Sequence, residues 1–212
     1  CIRDRRYNVA SVCVKPYAVS RAAKLLKGTG VKVGAVAGFP HGNSSTEVKV
    51  FEATRACLDG AEEIDMVINI GKVLGGDWDY VEQEIRSVTS ACHQNGAIIK
   101  VIFETDLVTR DEDKIRLCEL CTLAGADFVK TSTGYGFVRQ PDGNYNYKGA
   151  TIADVELMRK HSGPNVQVKC AGGGRTLDDL LKMRAAGASR SGATATAAIL
   201  EEARKRFSGS AG

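Results

Sequence analysis

The chain has 212 residues, 43% of them hydrophobic and 25% charged, an ordinary balance for a globular protein. Its net charge of +4 is spread over helical stretches with acidic neighbours, such as "RDEDKIRL", and forms no basic stripe of the kind that binds nucleic acid. No apolar run reaches the roughly 18 residues of a membrane span, and the opening "CIRDRRYNVA" has no signal-peptide core, so a cytoplasmic protein with its seven cysteines as free thiols is expected.

In chain order, the sequence begins in what reads as the tail of a helix and enters a short β-rich run, "VASVCVKP" (9–16). Similar runs follow at "KVGAVAGFP" (32–40), "EIDMVINI" (63–70), "AIIKVIFET" (97–105), "FVKTSTG" (128–134), "VQVKCAGG" (166–173) and, more weakly, "SRSGATA" (189–195). Most are nearly continuous in apolar residues, as strands buried on both faces of a parallel sheet are. Amphipathic helices lie between them. "NSSTEVKVFE" opens with capping residues, and "GGDWDYVEQE" places Asp77 and Asp79 at a helix start. Val81, Ile85, Val88 and Cys92 recur at helical spacing, as do Leu177, Leu180 and Leu181. Cys118 and Cys121 have CxxC spacing, but they share a helix with the apolar face of Leu117, Leu120 and Ala124. With no second pair to complete a metal site, they are assigned to the core. "YGFVRQPDGNYNYKGA" (135–150) reads as a β-hairpin insertion turning at Pro141-Asp142-Gly143.

Gly-Ala pairs at 60–61, 96–97, 125–126 and 187–188 punctuate the joins from helix to strand, marking a βα unit of about thirty residues. Seven such units are visible. No G-x-G-x-x-G fingerprint follows the first run, and a doubly wound sheet would have fewer strands. The expected fold is therefore an α/β, (β/α)8 barrel forming one catalytic domain over residues 1–212, with its first strand missing from this chain.

In such barrels chemistry sits where strands end and βα loops begin. Polar residues interrupt the apolar strands at Asp65, Asn69, Lys100, Glu104, Lys130 and Lys169. Lys130 and Lys169 stand out, because both fall near the C-terminal ends of short apolar strands in units separated by one helix. Two amines in one barrel mouth repel each other's protons, and desolvation acts the same way. An ordinary lysine is a neutral nucleophile only about once in two thousand at pH 7, and correcting this takes on the order of 4 kcal/mol. One nucleophilic lysine and one that stays cationic would suit imine formation with a carbonyl substrate. Thr131, Ser132 and Thr133 add no charge beside the amine, and their hydroxyls can orient substrate or water.

The glycines of "CAGGGRT" and "SRSGATATAA" pass from strand ends to helix starts, where bare backbone N–H groups hold phosphate. The substrate expected from the residues alone has a carbonyl at one end and a phosphate at the other.

Taken together, "ASVCVKP", "GAVAGFPHG", "EIDMVINIG", "DFVKTSTG" and "VQVKCAGGGRT" resemble the 2-deoxyribose-5-phosphate aldolases, imine-forming class I aldolases, over about residues 9–204. The resemblance implies a (β/α)8 barrel that reversibly splits 2-deoxy-D-ribose 5-phosphate into D-glyceraldehyde 3-phosphate and acetaldehyde, with no metal or other cofactor. It implies Lys130 as the imine-forming lysine, Lys169 as the second lysine and Asp65 as the acid of the proton relay. Gly172, Gly173, Gly192 and Ala193 fall in the implied phosphate loops, with Gly134 close by and Thr131 contacting substrate. A small sugar phosphate is the implied partner, with no nucleic acid or membrane, and a homodimer or higher homo-oligomer is left open. The chain departs from the family pattern in its first strand, in Tyr135 where some members carry lysine, and in the last loop, Arg190-Ser191-Gly192-Ala193-Thr194.

Overall fold

The computed structural model describes residues 2–207. Short strands alternate with helices as the runs predicted: β1 (Ser11–Cys13), β2 (Lys32–Ala37), β3 (Glu63–Val67), β4 (Ile98–Ile102) and β5 (Phe128–Lys130). After the hairpin β6 (Val138–Arg139) and β7 (Tyr145–Asn146) come β8 (Gln167–Ala171) and β9 (Arg190–Gly192). The helices are α1 (Ile2–Arg6), α2 (Val19–Leu26), α3 (Thr46–Leu58), α4 (Ile70–Leu74), α5 (Trp78–Gln94), α6 (Asp111–Ala124), α7 (Ile152–His161), α8 (Leu177–Ala185) and α9 (Thr196–Phe207).

Seven strands form one parallel sheet in the order β1-β2-β3-β4-β5-β8-β9. Apart from the inserted hairpin this is chain order without a reversal, which is the order of a barrel and not of a doubly wound sheet. The sheet curls. Arg190 at the start of β9 donates to Ser11 Oγ on β1 at 3.0 Å, so the two edge strands face each other across the trough. Between them lies a cavity of about 610 Å3 bordered by Cys13, Lys169, Arg190 and Ala193.

The charged strand residues lie on the inside of the curl, beside Val67, Ile102 and Phe128, and the outer face is apolar. Ile64, Met66, Ile99, Val101, Val129 and Val168 are fully buried beneath the helices, at roughly 1.5–3 kcal/mol per large side chain. The α5 stripe of Val81, Ile85, Val88 and Cys92 is buried as its spacing predicts, and so are Cys118 and Cys121 of α6. All four Gly-Ala joins hold the glycine at positive φ and the alanine inside. The stripe expected on α8 is only partly realised, because Leu177 is buried while Leu180 and Leu181 are half-buried. That helix lies at the β9 edge, with Leu180 bordering the inter-edge cavity.

Candidate active site

The inward polar layer begins with strand register. Lys130 is the direct partner of Lys169 across β5 and β8, and Asp65 is the partner of Lys100 across β3 and β4. Adjacent parallel strands point partnered residues to the same face, so all four side chains enter the curl. Lys130 Nζ and Lys169 Nζ each donate to Asp65 Oδ2 at 2.7 Å. Two amines on one oxygen are therefore no farther apart than twice that distance. Lys100 Nζ holds the other oxygen, Oδ1, at 3.0 Å and reaches Glu63 Oε2 at 2.7 Å. Arg190 Nη1 closes the layer on Glu63 at 3.2 Å.

Four basic side chains thus meet two carboxylates, all of them buried except the partly exposed Arg190. Desolvation pushes the Lys130 amine down; Asp65 pulls it back up, and Lys169 pushes it down again, leaving it below the ordinary lysine value. Lys169 also suffers desolvation, but Asp65 and Glu63 outweigh it and raise its amine above the ordinary value. Burial would raise the Asp65 carboxyl, yet Lys130, Lys169 and Lys100 together hold it well below the usual carboxylate range. The arrangement has the components of imine chemistry: an amine prone to lose its proton, a neighbour that keeps its own, and a permanent carboxylate between them.

The three hydroxyls after Lys130 are engaged with neighbouring loops of the protein. Thr131 is fully buried, and its Oγ1 accepts from Ala171 N at 3.1 Å. Ser132 pairs with Thr105 at 3.3 Å. Thr133 donates through both its N–H and its hydroxyl to Glu104. A strand end as short as β5 has few ladder bonds, and these side chains replace them by tying its loop to both neighbours. Glu104 itself is buried and sits at φ 54°, an uncommon angle for a residue with a side chain, at the mouth of the curl.

Gly134, Gly172 and Gly173 all adopt positive φ, and a side chain on Gly134 would meet open space. Gly172 is packed against Gly149 at the root of the hairpin, close enough that the two loops form one rim. Gly192, the register partner of Ala171, lies on the neighbouring strand beside that rim and near the Lys169 stem, and Ala193 follows it. Tyr135 stands edge-on to Phe39 with ring centroids 5.6 Å apart, an aromatic pair at the mouth. Lys100 is visible on its strand in the sequence but has no assigned place in the site there, and Glu63 and Arg190 are not singled out by the sequence pattern. Their signal was period two, since Glu63 shares a strand face with Asp65.

Comparison with known proteins places the chain in a family. Residues 5–202 match the model of the DeoC/LacD family aldolases. The chain is 54% identical to the deoxyribose-phosphate aldolase of Rhodopirellula baltica over 201 residues, 95% of this chain and 79% of that one. It superposes on the crystal structure of a putative deoxyribose-phosphate aldolase from Coccidioides immitis with a TM-score of 0.87 at 42% identity, covering 96% of this chain and 77% of the other. A tetrameric deoxyribose phosphate aldolase from Aeropyrum pernix gives a TM-score of 0.83 at 28% identity, over 97% and 82% of the respective chains. Fold and likeness define a barrel aldolase, a lyase of carbon–carbon bonds. The chain belongs to the DeoC/LacD aldolase family.

Proposed function

We propose that the chain reversibly cleaves 2-deoxy-D-ribose 5-phosphate to D-glyceraldehyde 3-phosphate and acetaldehyde through an imine on Lys130. The observation that carries this reading is the single Asp65 oxygen shared by the two lysines at 2.7 Å each. Neutral Lys130 attacks the C1 aldehyde of the open-chain sugar, and the carbinolamine loses water to give a protonated imine. Imine formation takes the Lys130 nitrogen off Asp65 Oδ2 and leaves that oxygen to Lys169 and to water. Asp65, through water, then accepts the proton of the C3 hydroxyl as the C2–C3 bond breaks, and the iminium takes up the bonding electrons as an enamine. Lys169 keeps its proton beside the carboxylate and supports the relay. Reprotonation of the enamine at C2 and hydrolysis release acetaldehyde.

The phosphate is assigned to the rim formed by Gly134, Gly172, Gly173, Gly192 and Ala193. Its two negative charges complement a layer that carries more cations than carboxylates. Holding the far end of the substrate positions the bond that breaks. The chemistry calls for no metal or other cofactor, since the imine itself is the electron sink. The catalytic unit is the whole curled sheet with its helices, and it assembles as a homo-oligomer, in keeping with the tetramer described for the Aeropyrum pernix neighbour. A monomer mass in sedimentation would reject that assembly.

Borohydride reduction in the presence of acetaldehyde, followed by peptide mapping, tests the reading. The expected adduct is on Lys130; an adduct on Lys169 alone reverses the roles. Incubation with deoxyribose 5-phosphate should release acetaldehyde, and none released rejects the substrate.

A further inference from the structure

The carboxylate of Asp65 could serve two lysines in two ways. It could give one oxygen to each, which would let the amines drift apart, or it could give the same oxygen to both. The second is what is seen, and Oδ1 is the reason: it is already taken by the Lys100 ammonium at 3.0 Å, which is itself anchored on Glu63 at 2.7 Å. Lys100 is fully buried and enters from β4, between the strand that carries Asp65 and the strand that carries Lys130. Glu63 is in turn held by Arg190, so the anchor cannot swing to follow Asp65.

We propose that Lys100 is a positioning residue for the aldolase reaction: by occupying Asp65 Oδ1 it forces Lys130 and Lys169 onto Oδ2 and keeps their amines close enough for one to lose its proton. This rests on the imine reading above. Desolvation is the first cause that lowers the Lys130 amine, and the charge of Lys169 adds to it, so the separation of the two amines sets that second contribution.

The other groups around Lys130 do not do this work. Asp65 on β3 and Glu104 after β4 are acidic and favour the proton, while Cys13 at the end of β1 carries a thiol that desolvation pushes up, so it stays neutral. On the far strands, Lys169 is one of the pair itself, and Arg190 is committed to Glu63 and Ser11.

The test is the pH dependence of kcat/KM for deoxyribose 5-phosphate in Lys100→Met, since this ratio reports ionisations of the free enzyme. With Oδ1 vacant, Asp65 gives each lysine its own oxygen, and Lys130 keeps its proton to higher pH. The rising limb should move up by about one pH unit, giving roughly tenfold less activity on its acid side and near-normal activity above it. Lys100→Arg, which can still reach both carboxylates, should restore the wild-type limb. Should Lys100→Met fail to fold, the double variant Lys100→Met/Glu63→Gln removes one charge of each sign and should show the same displacement. An unmoved limb in whichever of these variants folds overturns the proposal, whether activity is intact or is lowered equally at every pH. Wild-type protein that gives neither turnover nor a borohydride adduct would instead overturn the imine reading beneath it.

Discussion

A lysine inside a strand is a costly choice, and three of them around one aspartate are explained by what the pairings do to their protons. Lys130 and Lys169 are the same residue type, in direct register, touching the same oxygen. They differ in their remaining surroundings: Lys169 also faces Glu63, whereas the largest influence on Lys130 after desolvation and Asp65 is the charge of Lys169. Replacing Lys169 with leucine should leave the fold intact and lower kcat by about 10²–10⁴-fold, the usual worth of a positioned proton-transfer group. Circular dichroism together with steady-state rates checks this, and a rate near wild type would contradict the division of roles. The two lysines and Asp65 were legible from sequence because charged residues are rare in buried strands. Lys100 stood in plain view on β4, but its partner depends on strand register, which the one-dimensional pattern leaves free.

The elements around the site are pinned by features whose purpose is mechanical. Lys49 of α3 and Glu84 of α5 form a fully buried pair at 2.7 Å; Lys49 also donates to the Val67 carbonyl, and Glu84 accepts from Asn69 N. The pair therefore bolts two helices to the end of β3, two residues beyond Asp65. Removing one charge strands the other in the interior. Lys49→Met should cost about 3–5 kcal/mol, while Lys49→Met/Glu84→Leu should recover most of it. Urea denaturation of the two variants tests this, and equal losses would show that the charge pairing is irrelevant. Gly42, at φ 68°, lies against the loop that follows β3, where an added β-carbon would overlap the Ile68 carbonyl oxygen. Gly42→Ala should lower stability by about 2–4 kcal/mol, read as a fall in the urea midpoint. At this scale the apolar stripes and the hairpin turn were readable from spacing. The half-exposed face of α8 was not, since its burial depends on what lies beside β9.

For the molecule as a whole, the polar interior sets the pH range of stability. Asp65 titrates well below its unfolded value of about 3.9. The unfolded chain thus binds the proton first on acidification, and the stability Asp65 supplies is present above that value and lost as pH falls beneath it. Lys169 is raised, so its contribution is complete below about 10.4 and disappears as pH climbs through its higher folded value. Lys130 is lowered, so stability should rise with pH from its folded value towards 10.4. The urea midpoint should accordingly fall below about pH 4, and at the alkaline end it should begin to fall near pH 8.5, where the buried thiols that the fold holds protonated ionise in the unfolded chain. A maximum near pH 4 would contradict this balance. No helix among the described residues is long and apolar enough to cross a membrane.

By itself the sequence determined the alternation of strand and helix, the glycine joins, and the presence of lysines where apolar side chains would have been the default. These are local properties, fixed by periodicity, by backbone conformations that glycine adopts easily, and by the cost of burying charge. Tertiary structure alone decided which oxygen each amine touches, that Thr131 to Thr133 are tied to neighbouring loops, and that Arg190 reaches across to Ser11. Such contacts join residues from 27 to 179 positions apart. Only the curl of the sheet, fixing register and twist together, brings them within reach.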